Sequence, residues 1–250
     1  MDDSNENTKR NVTVQVQPLT VTVSVNPVTI TMRAYYSSYH LWAAKHFCAL
    51  AQTVENAPGE QTRFDIKHRA YVTNSVFSAV AFLEAAINEL YQDAADNHES
   101  YIKELDPDSK RLMSDFWQFT EERNRSAFNL LDKYQIALTL LRKQQFDPGQ
   151  LPYQDAAFVV KLRNELVHFK PQSLGGDVEH KLARQLRGKF PENRLMDGSG
   201  NPWFPDKCLG HGCAEWAVTS VSNLADEFFA TINVEPNYQR IEFKPPPEGA

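Results

Sequence analysis

The chain predicts an all-α protein, a helical bundle with a short N-terminal β ribbon. Three observations lead there. Across residues 34–235, apolar side chains recur at three- and four-residue intervals. Proline- and glycine-containing breaks separate these stretches. Residues 12–32, VTVQVQPLTVTVSVNPVTITM, instead alternate apolar and polar positions and are rich in Val and Thr, as strands are.

Taken in order, residues 1–11 are polar and are expected to be disordered. Residues 12–33 form the ribbon, an oligomerisation arm whose edges seek partners. Val12, Val14 and Val16 share one face, as do Leu19, Val21, Val23 and Val25. After Pro27 the parity flips to Val28, Ile30 and Met32, with Pro18 and Pro27 as punctuation. The helical domain, 34–235, opens with a helix over 34–54 that stops at ENAPGEQ. A long helix follows over 67–91, with Tyr71, Phe77, Val80, Phe82, Leu83, Ile87 and Leu90 at helical intervals. Asp106-Pro107-Asp108-Ser109 reads as a turn and helix start. One helix or two cover 109–145, broken by Pro148-Gly149. A helix over 152–169 precedes a glycine-rich excursion at 172–212, which holds a short helix at 178–186. The last helix covers 214–232, and residues 236–250 trail off as an extended tail.

Composition narrows the class. The 250 residues carry ordinary apolar and charged fractions and a net charge of −6. That balance argues against nonspecific coating of long nucleic acid, though a cleft can still be locally basic. No unbroken apolar run approaches the roughly 18 residues that cross a bilayer, and the N-terminus lacks a signal pattern. Three cysteines, an odd number, fit a reducing compartment better than a disulfide framework. The expectation is a cytoplasmic protein with no membrane partner.

One segment carries chemistry: KLRNELVHFKP, 161–171. Arg163 is a cation that cannot lose its charge, and His168 is an imidazole that titrates near neutrality. Pro171 should stop the helix near Phe169 or Lys170. His168 then lies at the carbonyl end of the helix dipole, the end that favours a cation. A fixed positive charge beside a tunable acid–base group suits phosphodiester cleavage without a metal. At roughly 100° per residue, Asn164 and His168 share a face, whereas Arg163 and His168 leave the helix roughly 140° apart. One helix alone makes a loose site. Two copies related by a two-fold axis bring a pair of each together. The alternative is structural: Arg163 in a salt bridge and His168 as a partly buried C-terminal cap.

LRNELVHFKP closely resembles the signature of the HEPN superfamily, in which four to six residues separate an Arg, commonly followed by Asn, from a His. FLEAAINELY (82–91) resembles the acidic first core helix of that family. LLDKYQIAL (130–138), 151–171 and KCLGHGCAEWAVTSVSNLADEFF (207–229) resemble, in that order, a bacterial subgroup, so the similarity spans about residues 67–233. It implies a helical bundle, usually a homodimer. Active members are metal-independent endoribonucleases of toxin–antitoxin, abortive-infection and antiphage systems; others are binding or structural modules.

The expected catalytic residues are therefore Arg163, His168 and Asn164. Lys161 and Lys170 are expected to bind substrate, with Lys181, Arg184, Arg187 and Lys189 forming either a wider basic patch or a solvated surface. Glu84 and Glu89, on the long helix, would orient Arg163 or act on His168 through charge if folding brings either near; otherwise they face solvent. Cys208, His211 and Cys213 offer three ligands at an unusual spacing where structural zinc wants four, so no metal is expected, and packing of the thiols against Trp216 is the stronger reading. Neither a phosphate-binding Gly-rich loop nor a serine nucleophile motif occurs, and no cofactor is expected. The leading function is RNA cleavage by 2′-OH attack at a composite dimeric site. Its partners are RNA, a second copy or higher homo-oligomer, and an antitoxin or regulatory protein. The alternative is a non-catalytic dimeric module that binds a nucleotide, RNA or a protein.

Overall fold

A computed structural model of the chain describes residues 19–24, 29–59, 62–122, 128–171 and 179–245. The expectations for residues 1–18, Val25, Val28 and the end of the tail lie outside these. Two units separate at Tyr35/Tyr36.

In the first unit, β1 (Leu19–Ser24) pairs antiparallel with β2 (Thr29–Ala34). The register sets Leu19 opposite Ala34, Val21 opposite Met32 and Val23 opposite Ile30. Apolar positions therefore meet apolar positions across the pair, and Thr20, Thr22 and Ser24 meet Arg33, Thr31 and Thr29. The parity flip read after Pro27 is what an antiparallel return in this register requires.

The second unit is all-α. Its helices are α1 (Ser37–Asn56), α2 (Ile66–Asp96), α3 (Glu99–Ile102), α4 (Pro107–Glu122), α5 (Leu130–Leu140), α6 (Tyr153–Val167), α7 (Lys181–Leu186) and α8 (His211–Thr231). The 31-residue α2 is the centre, packing against α1, α3, α4, α5, α6 and α8. Phe82, Leu83, Ile87, Leu90 and Tyr91 of α2 are fully buried with Tyr101, Met113, Tyr134, Phe228 and Phe229. Each such side chain contributes on the order of 1.5–3 kcal/mol through removal from water. The buried phenols are satisfied: Tyr134 donates to the Leu83 carbonyl at 2.7 Å and Tyr91 to the Lys133 carbonyl at 2.9 Å. Over an 18-residue window α2 reaches a mean hydropathy of 1.4, so by length and composition alone it is apolar enough to cross a membrane. It carries Glu84, Glu89 and Asp93, which is why it does not read as an unbroken apolar run, and its apolar side chains form this core.

Helix ends follow local chemistry. Asp65 caps α2 by accepting from the His68 N–H at 2.9 Å, and Asn97 ends it in the left-handed region at φ 50°. Asp106 accepts from Ser109 at 3.0 and 2.6 Å, and Pro107 occupies the first helical position. The single segment or pair read over 109–145 is two helices. α5 stops at Leu140, before Pro148, because Arg142 turns left-handed at φ 55°. The excursion at 179–210 holds α7 and short helical turns at Arg194–Met196 and Trp203–Lys207, and its Phe190 ring meets Trp216 of α8 at 5.1 Å.

Two carboxylates, Glu55 buried and Glu89 half-buried, hold helix N-termini from neighbouring helices. Glu89 accepts from the Ser37 N–H at 2.7 Å, the Ser37 hydroxyl at 2.6 Å and the Tyr101 hydroxyl at 3.0 Å. Burial nevertheless pushes its carboxyl above the ordinary value. Glu55 accepts from His68 Nε2 at 2.8 Å and from the His211 N–H at 2.6 Å, joining the end of α1 to the start of α8. The chain before α8 also runs close to its first turn: a Cβ on Gly212 would meet the Pro191 carbonyl oxygen at 2.6 Å.

Burial alone pushes the Glu55 carboxyl up, but its bonds from His68 and the His211 N–H, with the charges of both imidazoles, bring it below its ordinary value. A carboxylate with a lowered folded pKa adds stability above its unfolded pKa and loses it as pH falls through the folded one. Urea unfolding of Glu55→Gln should therefore show a cost of about 1–3 kcal/mol near neutrality. That gap should narrow below about pH 4. In thermal unfolding, Gly212→Ala should cost about 1–3 kcal/mol, because the obstructing atom is backbone.

Candidate functional site

α6 is seated by one face. Tyr153, Ala156, Val159 and Leu162 recur every three residues and are buried, where α6 packs against α2 and α8. Near its start, Asp155 accepts from the Trp216 indole at 3.0 Å and from Lys189 at 2.6 Å. Near its end, Glu165 takes His180 at 3.2 Å and Lys181 at 3.6 Å. His180 Nδ1 accepts from the Leu182 N–H at 3.2 Å, so Nε2 carries the proton that goes to Glu165. The His180 ring also stacks on Phe204 at 4.4 Å.

The helix stops at Val167, and His168 is the C-cap, its N–H donating to the Asn164 carbonyl at 3.0 Å. His168 and Asn164 are exposed, one turn apart. Val167 and Phe169, on either side of His168, are also exposed, at 51% and 42%.

Arg163 is half-buried, and its Nε is fully buried without a hydrogen-bond partner among the described residues. Arg163 forms no salt bridge among the described residues, and nearby Glu165 is taken by His180 and Lys181. Arg163 and Asn164 instead line a cavity of about 490 Å³ between α6, α2 and the start of α5. Glu84 lines the same cavity, with Asp132, Lys133 and Tyr153. Lys133 lies 2.9 Å from Asn88 Oδ1 and 3.5 Å from Glu84 Oε1, its side chain only 7% exposed. His168 is not among the lining residues. A single chain thus brings Arg163, Asn164 and Glu84 together and leaves His168 on the outer surface.

The remaining candidates are placed differently. Lys161 donates to Gln185 at 2.5 Å, and Lys170 is exposed past the helix end. Glu89 belongs to the start of α1, bound to Ser37 and Tyr101 as described above. The downstream basic residues are ion-paired: Lys181 with Glu165, Arg184 and Arg187 with Glu179, Lys189 with Asp155. They neutralise local carboxylates, which favours the solvated-surface reading over a patch.

Cys208 and Cys213 are fully buried. Its hydrogen bond with Cys208, together with burial, pushes the Cys213 thiol up, and burial with nearby acidic groups pushes Cys48 up to about 12. The indole of Trp216 lies against Phe190, at 5.1 Å, and bonds Asp155. Among the described residues no group of three or more His, Cys, Asp or Glu side chains is arranged to hold a metal ion.

Lys133, Asp132 and Tyr153 were missed as site residues. The signal was present in LLDKYQIAL, where an acid–base pair interrupts an apolar helix start. Its meaning depends on α6 lying alongside. No known family model matches this chain, nor does any curated protein or solved structure.

Proposed function

We propose that the protein is a metal-independent endoribonuclease of HEPN type, acting on cytoplasmic RNA through a site that two copies compose from Arg163, Asn164 and His168. The observation that carries this reading is a guanidinium on α6 whose Nε has no hydrogen-bond partner among the described residues, with an exposed imidazole at the same helix's end. The exposed Val167 and Phe169 beside His168 suit an interface between copies.

In this mechanism the 2′-hydroxyl attacks the adjacent phosphorus, held close at high effective molarity. One His168 accepts its proton while the O2′–P bond forms. The P–O5′ bond breaks, and the partner's His168 protonates the departing oxygen. The products are a 2′,3′-cyclic phosphate and a 5′-hydroxyl. Arg163 holds the non-bridging oxygens where charge builds, and Asn164 orients a phosphate oxygen. Lys161 and Lys170 contact the flanking backbone. HEPN nucleases act in toxin–antitoxin and antiphage systems, so an antitoxin or regulatory protein is the expected further partner.

A second reading has its own support. Arg163 and Asn164 line a cavity that omits His168, the arrangement of a non-catalytic module binding a nucleotide, RNA or protein.

Cleavage of an RNA oligonucleotide with EDTA present separates the two. The enzyme reading expects a cyclic-phosphate product, no cleavage of the matching DNA, and a loss of about 10²–10⁴ in rate for His168→Ala. Arg163→Ala should fall comparably. Equal rates in wild type and both variants would refute the assignment.

A further inference from the structure

We propose that the outer face of α1 binds single-stranded RNA by stacking its bases on a row of exposed aromatic rings. Tyr36 at the N-cap of α1, Tyr39 and Trp42 are spaced by three residues, so they step along one side of the helix. They are 61%, 46% and 40% exposed. The rings are grouped: Tyr36 lies 5.5 Å from Tyr39 and 6.1 Å from His40, and Trp42 stacks on His46 at 4.7 Å. His46 in turn meets Phe47 at 5.9 Å, and Phe47 stacks on Tyr71 of α2 at 6.4 Å. Phe47 and Tyr71 are half-buried, so ring surface continues from the start of α1 onto α2. Phe243 meets Trp42 edge-on at 6.1 Å, and the indole keeps its exposure.

Charge decides the partner. Between Tyr36 and Val54 the chain has no carboxylate, and between Ile66 and Leu83 it has none either. The same stretches carry Lys45, Lys67 and Arg69, of which Arg69 is taken by Asp206. In a chain of net charge −6 these two stretches are positive. Glu89 and Glu55, at the two ends of α1, are engaged by Ser37 and Tyr101 and by His68 and the His211 N–H. Glu215, whose charge reaches Cys48, belongs to the opposite side, since Cys48 and Tyr39 leave the helix roughly 180° apart.

Rings interleaved with cations and free of acids suit a chain of bases and phosphates better than a protein face, whose centre is depleted of charge. Stacking needs unpaired bases and reads no sequence, so the partner is a single strand. Lys45 and Lys67 supply one or two phosphate contacts, too few to hold a duplex by charge alone. That this strand is the substrate rests on the endoribonuclease reading; the binding itself does not.

The test uses full-length His168→Ala protein, fluorescence anisotropy and a labelled RNA dodecamer of alternating C and A. The dodecamer should bind saturably, with a log–log salt slope of about −0.7 to −1.4 for one or two phosphates. Trp42→Leu and Tyr39→Leu should each weaken binding about fivefold or more, whereas Trp42→Phe, which keeps a stacking face, should stay within about threefold. Annealing the dodecamer to its complement should weaken binding about tenfold or more. No binding, equal affinity for strand and duplex, a slope steeper than about −3, or folded Leu variants that bind like their parent would each overturn the proposal. So would a change of molecular mass in those variants, which would make the row an interface between copies. Binding with the expected pattern to RNA that the wild type never cleaves would support the stacking row and sink the nuclease reading alone.

Discussion

α6 buries Tyr153, Ala156, Val159 and Leu162 against its neighbours, and that contact decides which of its side chains remain for chemistry. A helix seated on a three-residue repeat presents the positions between those contacts sideways or outward. Arg163 goes sideways into the space facing α2 and α5, and His168, at the helix end, goes to the surface. Asp155 at one end and Glu165 at the other hold the rotation through Trp216, Lys189, His180 and Lys181. Turning α6 by one residue would bury Arg163 and expose Leu162, so the apolar core and the candidate site share one constraint.

Charge elsewhere is consumed structurally. Glu55, buried, and Glu89, half-buried, sit where a helix N-terminus supplies N–H donors, and each joins elements far apart in the chain. The basic residues after the motif meet carboxylates within the same surface. Against that background the lack of any partner for Arg163 Nε among the described residues is informative, because a buried guanidinium nitrogen without a bond carries a desolvation cost.

The helical body was legible because periodicity and breakers are local. Pro171 and the apolar spacing placed the end of α6 to within two or three residues, and Asp106-Pro107-Asp108-Ser109 placed the start of α4. The end of α5 was not legible, since a left-handed Arg142 carries no sequence mark comparable to Pro148. Of the candidate residues, Arg163 and Asn164 from the motif line one cavity with Glu84, which the sequence offered only as one of two carboxylates on the long helix. Glu89 was not separable from Glu84 by sequence: five residues apart on one helix, they face different neighbours, and the one that meets Ser37 is chosen by packing across the bundle. Lys133 and Asp132 likewise acquire their role from α6 and α2, dozens of residues away.

The five-residue spacing of Arg163 and His168 places the burden on assembly, because within one chain the cavity receives the arginine without the histidine. Titrating His168→Ala chains into the wild type, allowing exchange, and measuring RNA cleavage tests this most directly. A site that needs His168 from both chains predicts that mixed dimers are inactive, so activity falls as the square of the wild-type fraction. A fall in simple proportion to that fraction, with exchange verified, would contradict it.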